Sequence, residues 1–197
     1  PIILTVSLPL FLGWIYPNIF TPVHVIFLEL IMGPTCSIVY ENEPIEKNAM
    51  QQKPRKMTET FLNWRELSIS IIQGLMITVG VLFAYQLAVQ NGSNEETTRA
   101  MVFTTLFFSN VFLSLTNRSF TYSLFESFKN KNILFPLITL ATLILLFTIL
   151  YIPVFSNFFH VSSLNFKDLG TTVLIALVSV LWFELYKLRK RRSQSNF

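Results

Sequence analysis

The chain has 197 residues, 52% of them hydrophobic and only 13% charged, with a mean hydropathy of +0.52, which is more apolar surface than a soluble domain of that size can bury. A soluble helical core would break its apolar stripes with charges every turn, whereas here charges are missing from stretches of roughly 20 residues. The net charge of +4 does not read as a nucleic-acid footprint, since the aromatic residues fall in lipid-length runs, and the single Cys36 excludes an internal disulfide or a cysteine-clustered metal site.

In chain order, the first apolar run covers about Ile2 to Tyr16. It is shorter than a full span, and Pro1-Ile2-Ile3-Leu4 lacks the marks of a signal peptide, so this run is expected to begin upstream in a longer polypeptide. Pro17-Asn18-Ile19-Phe20-Thr21-Pro22 reads as a tight turn, because two prolines stop helices and restrict their neighbours. The second span is predicted over about Val23 to Tyr40, interrupted at Gly33-Pro34, and a polar loop occupies residues 41–66. The third runs from Leu67 to Val89, the fourth from Thr98 to Thr116, the fifth from Ile133 to Phe155 and the sixth from Leu169 to Tyr186, with a basic tail over residues 187–197.

Charge then orients the spans. Thirteen of the fifteen basic residues lie after the second, fourth and sixth spans, and only Arg99 and Lys167 fall on the opposite side. Under the positive-inside rule that face, and with it the C-terminus, is cytoplasmic. A five- or seven-span count would scatter the basic segments over both faces. The run from Lys187 to Arg192 reads as a stop-transfer anchor that meets anionic headgroups.

Inside the spans the first residue to single out is Glu29, in the middle of the second, where an ionisable group costs several kcal/mol unless paired or bound. Pro34 has no N–H to give the carbonyl of Leu30, which leaves a backbone oxygen one turn from the carboxylate. A carboxylate beside unpaired carbonyls is how transporters replace a cation's water shell, although a repaired proline kink would share the sequence. In the fourth span Asn110 and Ser114 share a helix face and offer an amide and a hydroxyl. Gln73, Gly74 and Gly80 read as close-packing and hydrogen-bonding positions, His24 as an interfacial anchor, and Glu184 beside Lys187 as a structural group within snorkelling distance of water. Asn91-Gly92-Ser93 fits a glycosylation acceptor on the outer side. No phosphate-cradling loop, Ser/His/Asp arrangement or exposed carboxylate pair gives the chain a soluble catalytic centre.

Thr21-Pro22-Val23-His24-Val25-Ile26-Phe27-Leu28-Glu29-Leu30, then Asn42-Glu43-Pro44, then Ala49-Met50-Gln51-Gln52-Lys53-Pro54-Arg55, resembles the end of the fifth helix, the sixth helix and the following loop of P-type cation ATPases. Met101 to Leu106, Ser109-Asn110 and Asn117-Arg118-Ser119 resemble the eighth helix, and Trp182 to Lys187 the end of the tenth. The resemblance implies an all-α integral membrane helical bundle of about six transmembrane helices. Residues 1–40 would hold the end of the fifth helix and the whole sixth, 41–66 a cytoplasmic loop, 67–186 the seventh to tenth helices and 187–197 the tail.

By position Glu29 and Asn110 match cation ligands, with Leu30 as a backbone carbonyl ligand at the Gly33-Pro34 helix break. Met32 and Gly33 stand where calcium pumps place Thr and Asp, and Ile2 to Leu4 bring no fifth-helix carboxylate, so a proton or monovalent cation is the alternative to calcium. The implied partners are the lipid bilayer, the transported cation and the missing N-terminal and cytoplasmic domains of the same polypeptide. The chain itself takes no cofactor and lacks nucleotide-binding and phosphorylation sites; Mg-ATP would act on the parent, a multi-pass protein expected in the plasma membrane. A reading of another class is a channel, carrier or scaffold without enzymatic activity, which an upstream Asp-Lys-Thr-Gly-Thr motif would exclude.

Overall fold

The computed structural model describes residues 1–42, 64–117 and 134–194. Among them are seven helices: α1 (Ile2–Phe11), α2 (Pro22–Glu41), α3 (Trp64–Gln90), α4 (Glu95–Asn117), α5 (Leu134–Tyr151), α6 (Pro153–Phe159) and α7 (Phe166–Gln194). Most of the 41–66 loop, with its Asn42-Glu43-Pro44 and Met50 to Arg55 motifs, the Arg118-Ser119 end of the eighth-helix resemblance and the last three residues of the tail lie wholly or partly outside the described residues.

Four helical stretches among the described residues are long and apolar enough to cross a membrane: Leu67–Gln90, Glu95–Asn117, Leu134–Tyr151 and Phe166–Glu184. The 20 residues of α2 give it a length of about 30 Å, also that of a hydrocarbon core. Ile71, Ile72, Leu75, Val79 and Phe83 on α3, Leu137, Leu140 and Ile144 on α5, and Leu174 and Val178 on α7 are exposed. Such belts are stable only against lipid. The chain is an all-α membrane bundle.

At the centre is α4, buried almost without interruption from Thr98 to Ser109. It packs chiefly against α7 and α3, with α2 and α5 alongside, while α1 leans on α3 and α2 on α5. Gly80 makes the α3–α7 approach possible, lying directly against Ser179. Aromatic rings fill the end of the bundle where α2 begins: Phe20, His24 and Phe27 from the α2 side meet Phe103 of α4 and Phe159 of α6.

Local chemistry moves three boundaries from where apolar pattern alone puts them. The run Ile2 to Tyr16 stops being helical at Phe11, because Gly13 takes φ +62° and the N–H groups of Gly13 and Trp14 turn back to the carbonyls of Leu10 and Pro9. Two orphan carbonyls are thereby satisfied and the chain reverses. The predicted fifth span ends at Tyr151: Ile152 is extended and Pro153, lacking an N–H, starts α6 at its first position.

The third correction concerns α2. It carries through Gly33 and Pro34 as one helix to Glu41, so the predicted interruption is not an unwound segment. Proline's φ suits a helix, and only the hydrogen bond to Leu30 must be lost.

Candidate cation site

α2 is anchored at its N-terminal end and exposed along one face. The backbone N–H of Thr21 donates to His24 Nδ1 at 3.3 Å and Thr21 Oγ1 lies 2.8 Å from the same nitrogen, closing the first turn on itself. The His24 ring is wholly buried against Phe20, Phe103 and Phe159, an anchor as its position suggested. Leu28, one turn on, is buried as well. Glu29, about 100° further round the helix, is exposed, as are Ile26, Leu30 and Gly33.

The face that carries Glu29 and the Leu30 carbonyl is therefore turned away from the packed core.

Two contacts set the register between α2 and α4. The Phe27 and Phe103 rings lie 6.1 Å apart, and the Tyr40 hydroxyl donates to the carbonyl of Ser114 at 3.4 Å. Between those points Glu29 is level with Thr104 and Thr105, whereas Asn110 is level with the turn at Pro34, about 9 Å deeper at 1.5 Å per residue. The structure thus brings Asn110 to the depth of the Leu30 carbonyl's missing partner, and Glu29 a turn and a half above it.

Asn110 is half-buried, and its Nδ2 donates to the carbonyl of Leu106 at 3.1 Å. Ser114 Oγ donates to the carbonyl of Asn110 at 3.0 Å. Sequence reasoning passed over Thr104, whose buried Oγ1 has no hydrogen-bond partner among the described residues; a Thr pair in a run of Phe and Leu was the available signal. Among the described residues no three His, Cys, Asp or Glu side chains gather as a metal site. At these levels of α2 and α4 the polar oxygens include the Glu29 carboxylate, the Asn110 amide, the Thr104 and Ser114 hydroxyls and backbone carbonyls.

Both ends of the bundle are fastened. At the end where α2 begins, Tyr85 of α3 accepts the Tyr16 N–H at 2.9 Å and stacks on Trp14 at 4.8 Å. Beside it, buried Arg99 donates from Nε to the carbonyl of Ile19 at 2.8 Å and from a terminal nitrogen to that of His160 at 2.7 Å, and pairs with Glu95 on its own helix. Asn91-Gly92-Ser93 forms the α3–α4 turn, Gly92 at φ +73°.

At the opposite end, Gln73 of α3 donates to Asn117 Oδ1 at 3.1 Å, the hydrogen-bonding role expected of it. Lys187 of α7 donates to the carbonyl of Thr116 and pairs with Glu184 at 2.9 Å. Glu184 and Lys187 are 8% and 5% exposed, so the expected reach to water is replaced by a closed contact at the end of α4. The cation is drawn to the helix's last carbonyls, where the dipole is negative.

Comparison with known proteins places these features in context. The family model for the C-terminus of cation-transporting ATPases matches residues 17–189. Calcium-transporting ATPase 1 of Yarrowia lipolytica is 27% identical over 186 residues, covering 91% of this chain and 20% of that protein. Calcium-transporting ATPase 1 of Bacillus cereus is 26% identical over 207 residues, covering 96% of this chain and 23% of its own length. Calcium-transporting ATPase type 2C member 1 of Mus musculus is 23% identical over 180 residues, covering 89% and 20%. The chain spans about a fifth of the length of these relatives.

Proposed function

The chain belongs to the family of C-terminal regions of cation-transporting ATPases, and on that footing we propose that it forms the ion-translocating part of an ATP-driven cation pump. In this reading α1 and α2 correspond to the end of the fifth and the whole sixth membrane helix, and α3 to α7 supply the seventh to tenth. Glu29, the Leu30 carbonyl and Asn110 line the path, the Gly33-Pro34 step supplying the unpaired carbonyl.

The observation that carries it is the exposed face of α2. A carboxylate and a carbonyl without its i+4 donor lie on the open side of a membrane-length helix. In this reading the remaining domains of the polypeptide close that side, bind Mg-ATP and are phosphorylated. The pump spans the plasma membrane with its C-terminus in the cytoplasm.

The named relatives are calcium-transporting ATPases, which favours calcium as the cargo. Against it, Met32 and Gly33 put no carboxylate or hydroxyl one turn below Glu29, and Ca²⁺ usually takes six to eight oxygens. A monovalent cation or a proton is the second reading, favoured by that lone carboxylate.

Both are tested by measuring ATP hydrolysis by the full-length parent while Ca²⁺, Na⁺, K⁺ and pH are varied in turn, in the wild type and in Glu29→Gln. The substitution should raise the half-saturating concentration of the stimulating cation by tenfold or more, on the order of one lost charged ligand. Unchanged ion dependence in the variant would remove Glu29 from the path.

A further inference from the structure

We propose that Arg99 is a positioning residue for the transported cation, holding the start of α2 and the α6–α7 corner against α4 so that the oxygens of α2 and α4 keep one register. The inference rests on the reading of α2 as the ion-path helix.

Arg99 is 6% exposed, and its guanidinium reaches backbone carbonyls 80 and 61 positions away in the chain, at Ile19 and His160. A charge removed from water is expensive, and an apolar side chain would pack the site at lower cost. What a guanidinium adds is direction: its planar fork of donors fixes several acceptors in one plane. Glu95, half-exposed at one side-chain turn, holds the far nitrogen and sets the plane.

Both acceptors sit where movement would otherwise start. Ile19 lies in the non-helical link before α2, and from Thr21 onward the contacts with His24 close the first turn of that helix. His160 ends α6 in the left-handed region at φ 49°, a conformation that non-glycine residues adopt at some cost and that the bond to Arg99 helps hold. Arg99 thus ties the α1–α2 link and the α6–α7 corner to α4 through one guanidinium.

The register reaches the ion path through α4 itself. Asn110 follows Arg99 by eleven residues, about three whole turns, so the two lie on one face of the helix some 16 Å apart. Glu29 follows Ile19 by ten residues. The candidate ligands thus hang from one fastening point on two neighbouring rods. Cation–oxygen distances are held within a few tenths of an ångström, so a slip of 1 Å at the fastening is enough to spoil the contacts a cation makes in turn with Glu29 and, a turn and a half further on, with the level of Asn110.

The test uses the full-length pump in membranes, with ATP hydrolysis titrated against whichever of Ca²⁺, Na⁺, K⁺ or protons stimulates the wild type. The variants are Arg99→Lys, which keeps the charge but not the fork, and Glu95→Gln, which leaves Arg99 in place and loosens its orientation. We expect Arg99→Lys to raise the half-saturating concentration about tenfold while the maximal rate at saturation stays within about twofold, and Glu95→Gln to shift it in the same direction by less.

A purely structural clasp predicts the opposite split: less protein or a lower maximal rate at unchanged half-saturation, and that result overturns the proposal. If Arg99→Lys does not fold, Glu95→Gln decides, and no shift there overturns it as well. Glu29→Gln measured in parallel separates the two readings. A shift with Glu29→Gln but none with the clasp variants rejects only the positioning role, and no shift with Glu29→Gln rejects the ion path on which that role depends.

Discussion

Gly80 of α3 and Ser179 of α7 meet so closely that a Cβ on Gly80 would fall 1.9 Å from Ser179 Oγ and 3.0 Å from Ser179 Cβ. The Ser179 hydroxyl already bonds the carbonyl of Ile175 at 2.7 Å, and turning it away would still leave the two Cβ atoms too near. Small residues let membrane helices approach in this way, where packing contacts replace the hydrophobic driving force. Gly80→Ala should therefore force α3 and α7 apart and cost about 1–3 kcal/mol, the range for overpacking. Thermal unfolding in detergent would read the loss. Gly80→Ala/Ser179→Gly should recover most of it, and simple additivity of the two changes would show that the contact is not the cause.

At the end where α4 stops, the prediction concerns a buried charge. Lys187→Met would leave the Glu184 carboxylate, 8% exposed, without the ammonium at 2.9 Å and the Thr116 carbonyl without its donor. Breaking a buried pair from one side costs about 3–5 kcal/mol, whereas replacing both partners by apolar groups is often neutral. Lys187→Met should thus lower the midpoint of unfolding well below that of Glu184→Leu/Lys187→Met. Equal midpoints would mean that the pair is solvated in the membrane-embedded protein.

The orientation predicts a labelling pattern. With Cys36 replaced by Ser, single cysteines at Lys53 and Ser193 should react with a membrane-impermeant maleimide only from the cytoplasmic side, and those at Asn91 and Lys167 only from the other. Labelling of Lys53→Cys and Ser193→Cys from opposite sides would refute an even number of spans between them.

Much of the architecture was legible because it depends on local pattern. Apolar runs of membrane length and the turn residues between them are visible along the chain, and α3, α4 and α7 contain the predicted spans. The errors arose where a short-range signal had two outcomes. Proline can stop a helix, as Pro153 does after the extended Ile152, or sit inside one, as Pro34 does; Gly13 can be passed over in an apolar run until its φ of +62° is seen to end α1.

The candidate site divides in the same way. By itself the sequence determined that Glu29 and Asn110 are polar groups on apolar helices, and that Pro34 deprives Leu30 of a hydrogen bond, because side-chain chemistry and the missing N–H belong to the residue wherever it folds. Only the tertiary structure decided that Glu29 and Asn110 stand at different depths, and that Glu184 and Lys187 close on each other instead of reaching water. It also made Arg99 a fastening between Ile19 and His160 rather than a stray positive charge near the start of α4. Those relationships join residues up to 80 positions apart, and their distances follow from how α2, α4 and α7 pack.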